Sequence, residues 1–376
     1  MSVTIKEVTS KKDIKEFVDL QFRLYKGNKN WVPPIKADEY KYVDPAKNPA
    51  FKYFDTKFYL AYKDGKVVGR IGASINHLYN EKTGKKYVRL IKPEFIDDKE
   101  VFDALIGQVE KFGKERGMDT IHGPLGFTNL DTQGLLVEGF DYLQSIASVY
   151  HLPYYKEHFE RLGFEKENDW IEFRLTLTEK ELGLAKKYED IIMRRYGFSM
   201  KDIKTMKEAL DAGLGDVLFE VLNEAFDELP YVTPFNEELS NYYINKYFKV
   251  LNPKYIKVVM KDEEVAGFVV GMPSLSKAMQ KANGHLFPFG FIHLMKAMKK
   301  NDTIDLLLTG VRKKYQNSGV AVILFSRLQG EFMANGGKYF ETTGIFEQNT
   351  AVIANWKKYE QKIQHKRRRC YVKPIS

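Results

Sequence analysis

A chain of 376 residues exceeds what one hydrophobic core usually serves and suits two. Hydrophobic residues at 44% and charged residues at 29% exclude a disordered or fibrous protein, and no apolar stretch is long enough to span a bilayer. The net charge of +9 favours an anionic partner, whereas one cysteine, Cys370, and seven scattered histidines exclude an intrachain disulfide and argue against a metal site. The start, MSVTIKEVTSKKDIKEF, has no apolar segment behind a basic one, so a cytoplasmic protein is expected.

Apolar residues recurring at three and four predict a first helix over 11–25. FYLAYKDGKVVGRIGAS (58–74) then reads as a hairpin, its Asp64-Gly65 supplying the positive φ of a tight turn. A strand (87–91), a helix (99–116), a strand (120–123), a helix (154–162) and a strand (170–175) follow. The charged helical stretch KELGLAKKYEDIIMRRYG bridges to a second copy of the same order and places the domains at 1–178 and 179–376. The copy consists of a helix (209–226), the hairpin IKVVMKDEEVAGFVVGM (256–272), a strand (304–311), a helix (320–335), a strand (339–343), a helix (350–359) and a strand (370–373).

A β-α-β-β-β-α-β-α-β order stated twice predicts two α/β domains, each a mixed sheet flanked by helices. The insertion 273–301, with HLFPFGFIHLMKAM, has no counterpart in the first half. It is either a lid over an acyl site or a packing helix carrying His285 and His293. The dense basic run Lys366-Arg367-Arg368-Arg369 is read as a solvated strand or edge.

Chemistry is sharpest in TIDLLLTGVRKKYQNSGVAVILFSRL, where an apolar strand meets a short polar turn and then a helix beginning near Gly319. The free N–H groups of such a helix end, with the positive end of the dipole behind them, make a pyrophosphate cradle. Gly319 admits close backbone approach, Ala321 keeps the second turn narrow and Ser318 adds a hydroxyl.

Gln316-Asn317-Ser318-Gly319-Val320-Ala321 resembles the acyl-CoA motif of the GNAT superfamily, which is Gln or Arg, two residues, Gly, one residue, then Gly or Ala. The resemblance implies that Leu308, Thr309, Gly310 and Val311 run beside the acyl arm, with the N–H near Val311 polarising the thioester carbonyl. It also implies that Asn349, at the start of EQNTAVIANWKKYEQ, contacts the pantetheine or holds a helix end beside it; a simple N-cap is the alternative. In the first half Leu162-Gly163-Phe164 resembles a GNAT helix end, and HGPLGFTNLDTQGLLVEGFD resembles a segment of tandem-GNAT bacterial proteins. No glycine stands in Lys92-Pro93-Glu94-Phe95, so that copy is expected to bind no cofactor and to shape the acceptor side.

The family's acid, often a tyrosine, falls here at Trp356, whose indole cannot serve; Tyr359 lies one turn further and is the substitute, or else a core aromatic. Glu341 and Asp305 are the candidate bases, although strand alternation alone does not phase them toward a cleft. Tyr231, Phe235, Tyr242, Tyr243 and Tyr247 line an acceptor pocket or pack a core. The expected activity is transfer from acetyl-CoA or another acyl-CoA to a small-molecule or peptide amine, with no DNA partner. Aminoacyl-tRNA-dependent transfer is a second reading, against which the phosphate turn speaks, and a non-catalytic CoA-binding module is a third.

Overall fold

The computed structural model describes residues 2–375. The chain begins β1 (Thr4–Glu7), α1 (Lys11–Leu24), α2 (Lys36–Val43), β2 (Phe54–Lys63), β3 (Lys66–Asn76), α3 (His77–Thr83), β4 (Tyr87–Phe95), α4 (Lys99–Lys114) and β5 (Thr120–Gly123). Next come β6 (Leu135–Glu138), α5 (Tyr154–Arg161), β7 (Glu165–Thr176), α6 (Glu179–Tyr196), β8 (Phe198–Met200), α7 (Met206–Asp211), α8 (Leu214–Phe226) and α9 (Glu237–Tyr247). The remainder is β9 (Ile256–Lys261), β10 (Glu264–Pro273), α10 (Ser276–Ala282), α11 (Gly290–Lys299), β11 (Thr303–Val311), α12 (Val320–Ala334), β12 (Tyr339–Thr342), β13 (Ile345–Phe346), α13 (Thr350–Trp356) and β14 (Lys362–Pro374).

Two compact units emerge. Unit 1 comprises Met1–Ile171, Ser276–His293 and His365–Ser376; unit 2 comprises Glu172–Leu275 and Leu294–Gln364. Neither is a linear half of the chain, so the division crosses the expected line between residues 178 and 179. The cause is strand pairing. The C-terminal strand β14, expected to finish the second copy, pairs antiparallel with β5 of unit 1, Tyr371 opposite Gly123. The end of β7, expected to finish the first copy, pairs with β12 of unit 2, Glu341 opposite Arg174.

Unit 1 is a mixed sheet in the order β1-β2-β3-β4-β5-β14, antiparallel except for β4 and β5. Helix α4 covers it with Val101, Phe102, Leu105, Val109 and Phe112, all buried, against Ile71, Val88 and Leu90 of the strands. Helix α1 starts at a capping box, Ser10 and Asp13 satisfying each other's backbone N–H groups, and buries Phe17 against Phe58 with ring centroids 5.1 Å apart. The basic run lies inside this unit rather than in solvent. Lys366 and Arg368 are buried, and Asp169 accepts from Arg367 and Arg369 at 2.8 Å each.

Unit 2 repeats the design in the order β8-β9-β10-β11-β12-β7, again with one parallel pair, β11 and β12. Helix α12 buries Val320, Ile323, Leu324, Leu328 and Phe332. On its outer side α6 joins it through Glu189, which accepts from Ser326 at 2.6 Å and pairs with Arg327. The helix expected over 209–226 comes as two, α7 and α8, because Gly213 sits between them at φ +76°.

Candidate functional site

In unit 2, β11 and β12 hydrogen-bond only from Thr303 opposite Tyr339 to Leu306 opposite Thr342. A register shift between Val270 and Gly271 of β10 leaves Leu307 as an extra residue, and residues 307–311 continue beside β10 alone. The strands therefore part where an acyl arm would enter. Leu308, Thr309, Gly310 and Val311 lie on this free half, opposite Val270, Val269, Phe268 and Gly267.

The turn that follows is held by its own polar groups. Ser318 Oγ donates to the Tyr315 carbonyl at 2.6 Å, Gln316 Nε2 reaches the Val311 carbonyl at 3.4 Å, and Asn317 takes φ +64°. Gly319 then leads α12 at φ +89° with no side-chain cap. Its carbonyl accepts from Val322 and Ile323, while the N–H groups of Gly319, Val320 and Ala321 have no acceptor among the described residues. These are the amides the sequence assigned to phosphate, and a fifteen-residue helix stands behind them. Gly319 has a packing reason too: a Cβ there would come within 2.6 Å of Ile192 Cδ1 on α6.

The cations beside the turn are already engaged. Arg312 donates to Glu220 at 2.7 Å and Glu224 at 2.8 Å, Lys313 to Glu228 at 2.8 Å, and Lys314 pairs with Glu264 at 2.7 Å. They pin the turn to α8 and to β10, and the carboxylates of Glu220 and Glu224 hold the Arg312 guanidinium charged despite its partial burial. Anion binding here would rest on backbone amides rather than on free side-chain charge.

The candidate bases stand side by side. Asp305 is opposite Glu341 on the parallel pair, and the two are 1% and 4% exposed. Arg174 Nε donates to Glu341 at 3.1 Å. Tyr359 lies elsewhere in the core, its hydroxyl donating to Gln329 Oε1 at 3.0 Å, and burial together with the charge of Glu181 raises its pKa. Trp356 is buried edge-on to Phe325. Asn349 is an N-cap, accepting from the Val352 N–H at 3.2 Å. Tyr231, Phe235 and Tyr243 are buried, Phe235 packing on Phe219 and Tyr243. His285 is exposed and His293 half-buried, in the segment after α10.

Unit 1 holds a feature the sequence reading missed. Here β4 and β5 pair only over Tyr87, Val88 and Arg89, and β4 then runs on through a bulge at which Lys92 adopts φ +47°. The opening is a cavity of about 130 Å³, walled by β4 residues from Ile91 to Glu94, by Trp31, Leu125, Tyr150 and His151, and by Met279 of α10. Glu94 Oε2 accepts from Tyr25 and Tyr155 at 2.7 Å each, and Arg70 lies 3.7 Å from its other oxygen. Burial raises the Glu94 pKa although Arg70 and both tyrosines oppose the shift. Lys92 bonds both oxygens of Glu39 at 2.9 Å.

His151 Nδ1 accepts from the Leu136 N–H at 3.1 Å, and burial pushes its pKa down to about 3, so the ring is neutral with its proton on Nε2. That N–H has no acceptor among the described residues. Two sequence signals touched the cavity, because its far wall includes Pro124, Leu125, Gly126 and Gly134 from the singled-out HGPLGFTNLDTQGLLVEGFD, and Lys92 to Glu94 from the glycine-free passage. The start of the helix after β4 is capped by a side chain, unlike that of α12. Asp98 caps α4 by accepting from the Glu100 and Val101 N–H groups, and Lys63 binds the same carboxylate at 2.6 Å.

Two mixed sheets, each with one parallel pair that parts before a helix, are the GNAT fold stated twice, and the chain has a tandem GNAT fold. A tandem GNAT protein from the clavulanic acid biosynthesis pathway superposes over 100% of this chain and 99% of its own, with TM-score 0.55 and 11% identity. A GCN5-related glucosamine N-acetyltransferase region of a fungal multi-domain β-N-acetylglucosaminidase matches at TM-score 0.57 and 12% identity, over 99% of this chain and 38% of that one. In sequence the chain is 29% identical over 357 residues to Protein YghO of Escherichia coli K12, covering 93% of this chain and 90% of YghO. It is 26% identical over 357 residues to the bacterial ceramide synthase of Caulobacter vibrioides, covering 90% and 89%. No family model matches.

Proposed function

We propose that this protein is an N-acyltransferase that takes its acyl group from acyl-CoA. The observation that carries the reading is the uncapped end of α12, where three unclaimed N–H groups, led by a positive-φ glycine, follow a strand that has left its neighbour. On this reading the pyrophosphate of CoA rests on the amides of residues 319–321 and the acyl arm lies along Leu308, Thr309, Gly310 and Val311. Bound acyl-CoA supplies a thioester carbon that an amine nitrogen attacks, forming an amide as the bond to sulfur breaks.

Glu341, with Asp305 beside it, is assigned the proton that the amine must lose. Tyr359, whose hydroxyl proton is committed to Gln329, is assigned no proton transfer and supports the core beneath α12. Asn349 holds the start of α13. Unit 1 is assigned to the acceptor. Its cavity brings equal numbers of acidic and basic side chains, Glu39 and Glu94 with Lys92 and Arg70, and so favours a polar head of low net charge over a phosphate.

The ceramide synthase likeness supports a long-chain amino alcohol as the acceptor class, since a ceramide is a fatty amide of such a base, and the analogy is one of sequence alone. The test is release of free CoA from acetyl-, octanoyl- and palmitoyl-CoA with a short amine and with a long-chain amino-diol as acceptors, alongside calorimetry with CoA. Amine-dependent release of CoA that varies with the acyl chain length would support the assignment. Absence of both CoA binding and CoA release would end it.

A further inference from the structure

The insertion behaves as two pieces. Helix α10 is tied into unit 1: Met279 faces the cavity, Gln280 Nε2 donates to the Lys29 and Trp31 carbonyls, and the Gly284 carbonyl accepts from Lys36. Beyond Gly284 the segment turns its apolar side chains outward. Phe287 is 77% exposed, Phe289 69% and Met295 53%, with Phe291 and Ile292 exposed as well. Helix α11 buries only Gly290, and Phe291, Ile292 and Met295 fall on one face of it. The rings of Phe287 and Phe291 touch each other, 5.7 Å apart, rather than the core.

Charge sorts in the same place. From residue 265 to residue 301 the sequence contains no aspartate or glutamate, and it carries Lys277, Lys281, Lys296, Lys299 and Lys300. None of these five lysines has a carboxylate partner among the described residues, whereas Lys63, Lys92, Lys313 and Lys314 all do. A ten-residue helix, roughly 15 Å long, cannot cross a bilayer but can lie in its surface, phenyl rings in the acyl boundary and ammonium groups among phosphates. A second copy of the chain is disfavoured as the occupant, because a self-complementary contact would set unpaired lysines against one another.

We propose that residues 285–300 form a peripheral docking surface for an anionic lipid bilayer. The surface stands apart from the reaction assigned above, because vesicle binding is read without acyl-CoA. The experiment is co-sedimentation of the full chain with vesicles of phosphatidylcholine alone and of phosphatidylcholine containing roughly a third phosphatidylglycerol. Binding to the anionic vesicles should be at least about tenfold tighter and should fall at about 0.5 M salt.

The double variant Phe287→Ser, Phe289→Ser and the triple variant Lys296→Ala, Lys299→Ala, Lys300→Ala should each weaken it by on the order of tenfold. Both change exposed positions, so far-UV circular dichroism should match the parent. Failure to bind anionic vesicles, equal binding to both kinds, or undiminished binding by the phenylalanine variant would each overturn the proposal. So would a wild-type dimer in size exclusion that the phenylalanine variant converts to monomer, which would assign the patch to a second copy.

Discussion

Replacing Gly319 by alanine tests whether that residue is there for phosphate, for packing, or for both. A left-handed backbone conformation costs a non-glycine residue about 1–2 kcal/mol, and Gly319 sits at φ +89°. The added methyl would also meet Ile192 Cδ1 at 2.6 Å, and that side chain, being half-buried, must swing aside for roughly another 1 kcal/mol. Gly319→Ala should thus destabilise α12 by about 2–3 kcal/mol, and the penalty should shrink by about 1 kcal/mol in an Ile192→Ala background. Hydrogen exchange of the α12 amides reads the stability, which avoids assuming two-state unfolding of a two-unit chain. CoA affinity, by calorimetry, should fall at least about tenfold in both backgrounds, because Ile192→Ala removes the clash but not the strain on the amides that hold phosphate. Recovery of CoA binding in the double variant would refute the cradle and leave Gly319 with a packing role alone.

Tyr359→Phe should cost about 1 kcal/mol for the lost bond to Gln329 and leave the rate of CoA release unchanged; a hundredfold slower rate would return the tyrosine to proton transfer. Glu341→Gln should lower that rate by about a hundredfold or more with CoA affinity intact, and an unchanged rate would remove it as the base. His151 titrates at about 3 in the folded protein and near 6.5 when unfolded, so above the higher value it is neutral in both states and contributes no pH dependence. As pH falls from 6.5 toward 3 the unfolded chain takes up a proton that the folded one refuses, and unit 1 should lose up to roughly 4–5 kcal/mol, a slope that His151→Gln should flatten in urea unfolding followed at several pH values. Asp98→Ala should weaken the start of α4 by about 1 kcal/mol and create no measurable CoA site in unit 1.

What the sequence disclosed was local. Strand β5 and helix α6 read directly, and the strand-to-helix turn proposed to hold phosphate could be located because strand, glycine and helix follow one another within a few residues. The exchange of closing strands was not legible, since nothing within β14 or the end of β7 names its partner. The basic run misled for a similar reason: the carboxylate that neutralises Arg367 and Arg369 is Asp169, about two hundred positions earlier. The unit 1 cavity draws Gln21, Arg70, Glu94 and His151 from four separate elements and loops, a gathering that no window of sequence displays. Asn349 had two compatible readings, and its bond to the Val352 N–H bears out the N-cap.

The two units share a strand order with one parallel pair and differ in what stands before the helix that follows the parted strand. Both strands carry an extra residue, Lys92 in β4 and Leu307 in β11, and both leave their parallel neighbour after three or four pairs. In unit 1 the next helix end is claimed by the Asp98 carboxylate, whose pKa is held down by Lys63 and by the Glu100 and Val101 N–H groups. A phosphate approaching there would have to displace a bonded anion and then sit beside Asp97 and Glu100. In unit 2 the same end carries Gly319 and three unclaimed amides, with neighbouring carboxylates tied to Arg312 and Lys314. The difference is one of charge and of backbone at the helix start, Asp98 being extended and Gly319 left-handed, and it supports the proposed division of labour in which unit 2 takes the anionic cosubstrate. Removing Asp98 would free two amides but leave Lys63 facing Glu100, with no positive-φ glycine to bring the backbone close, so one substitution would not convert unit 1 into a second CoA site.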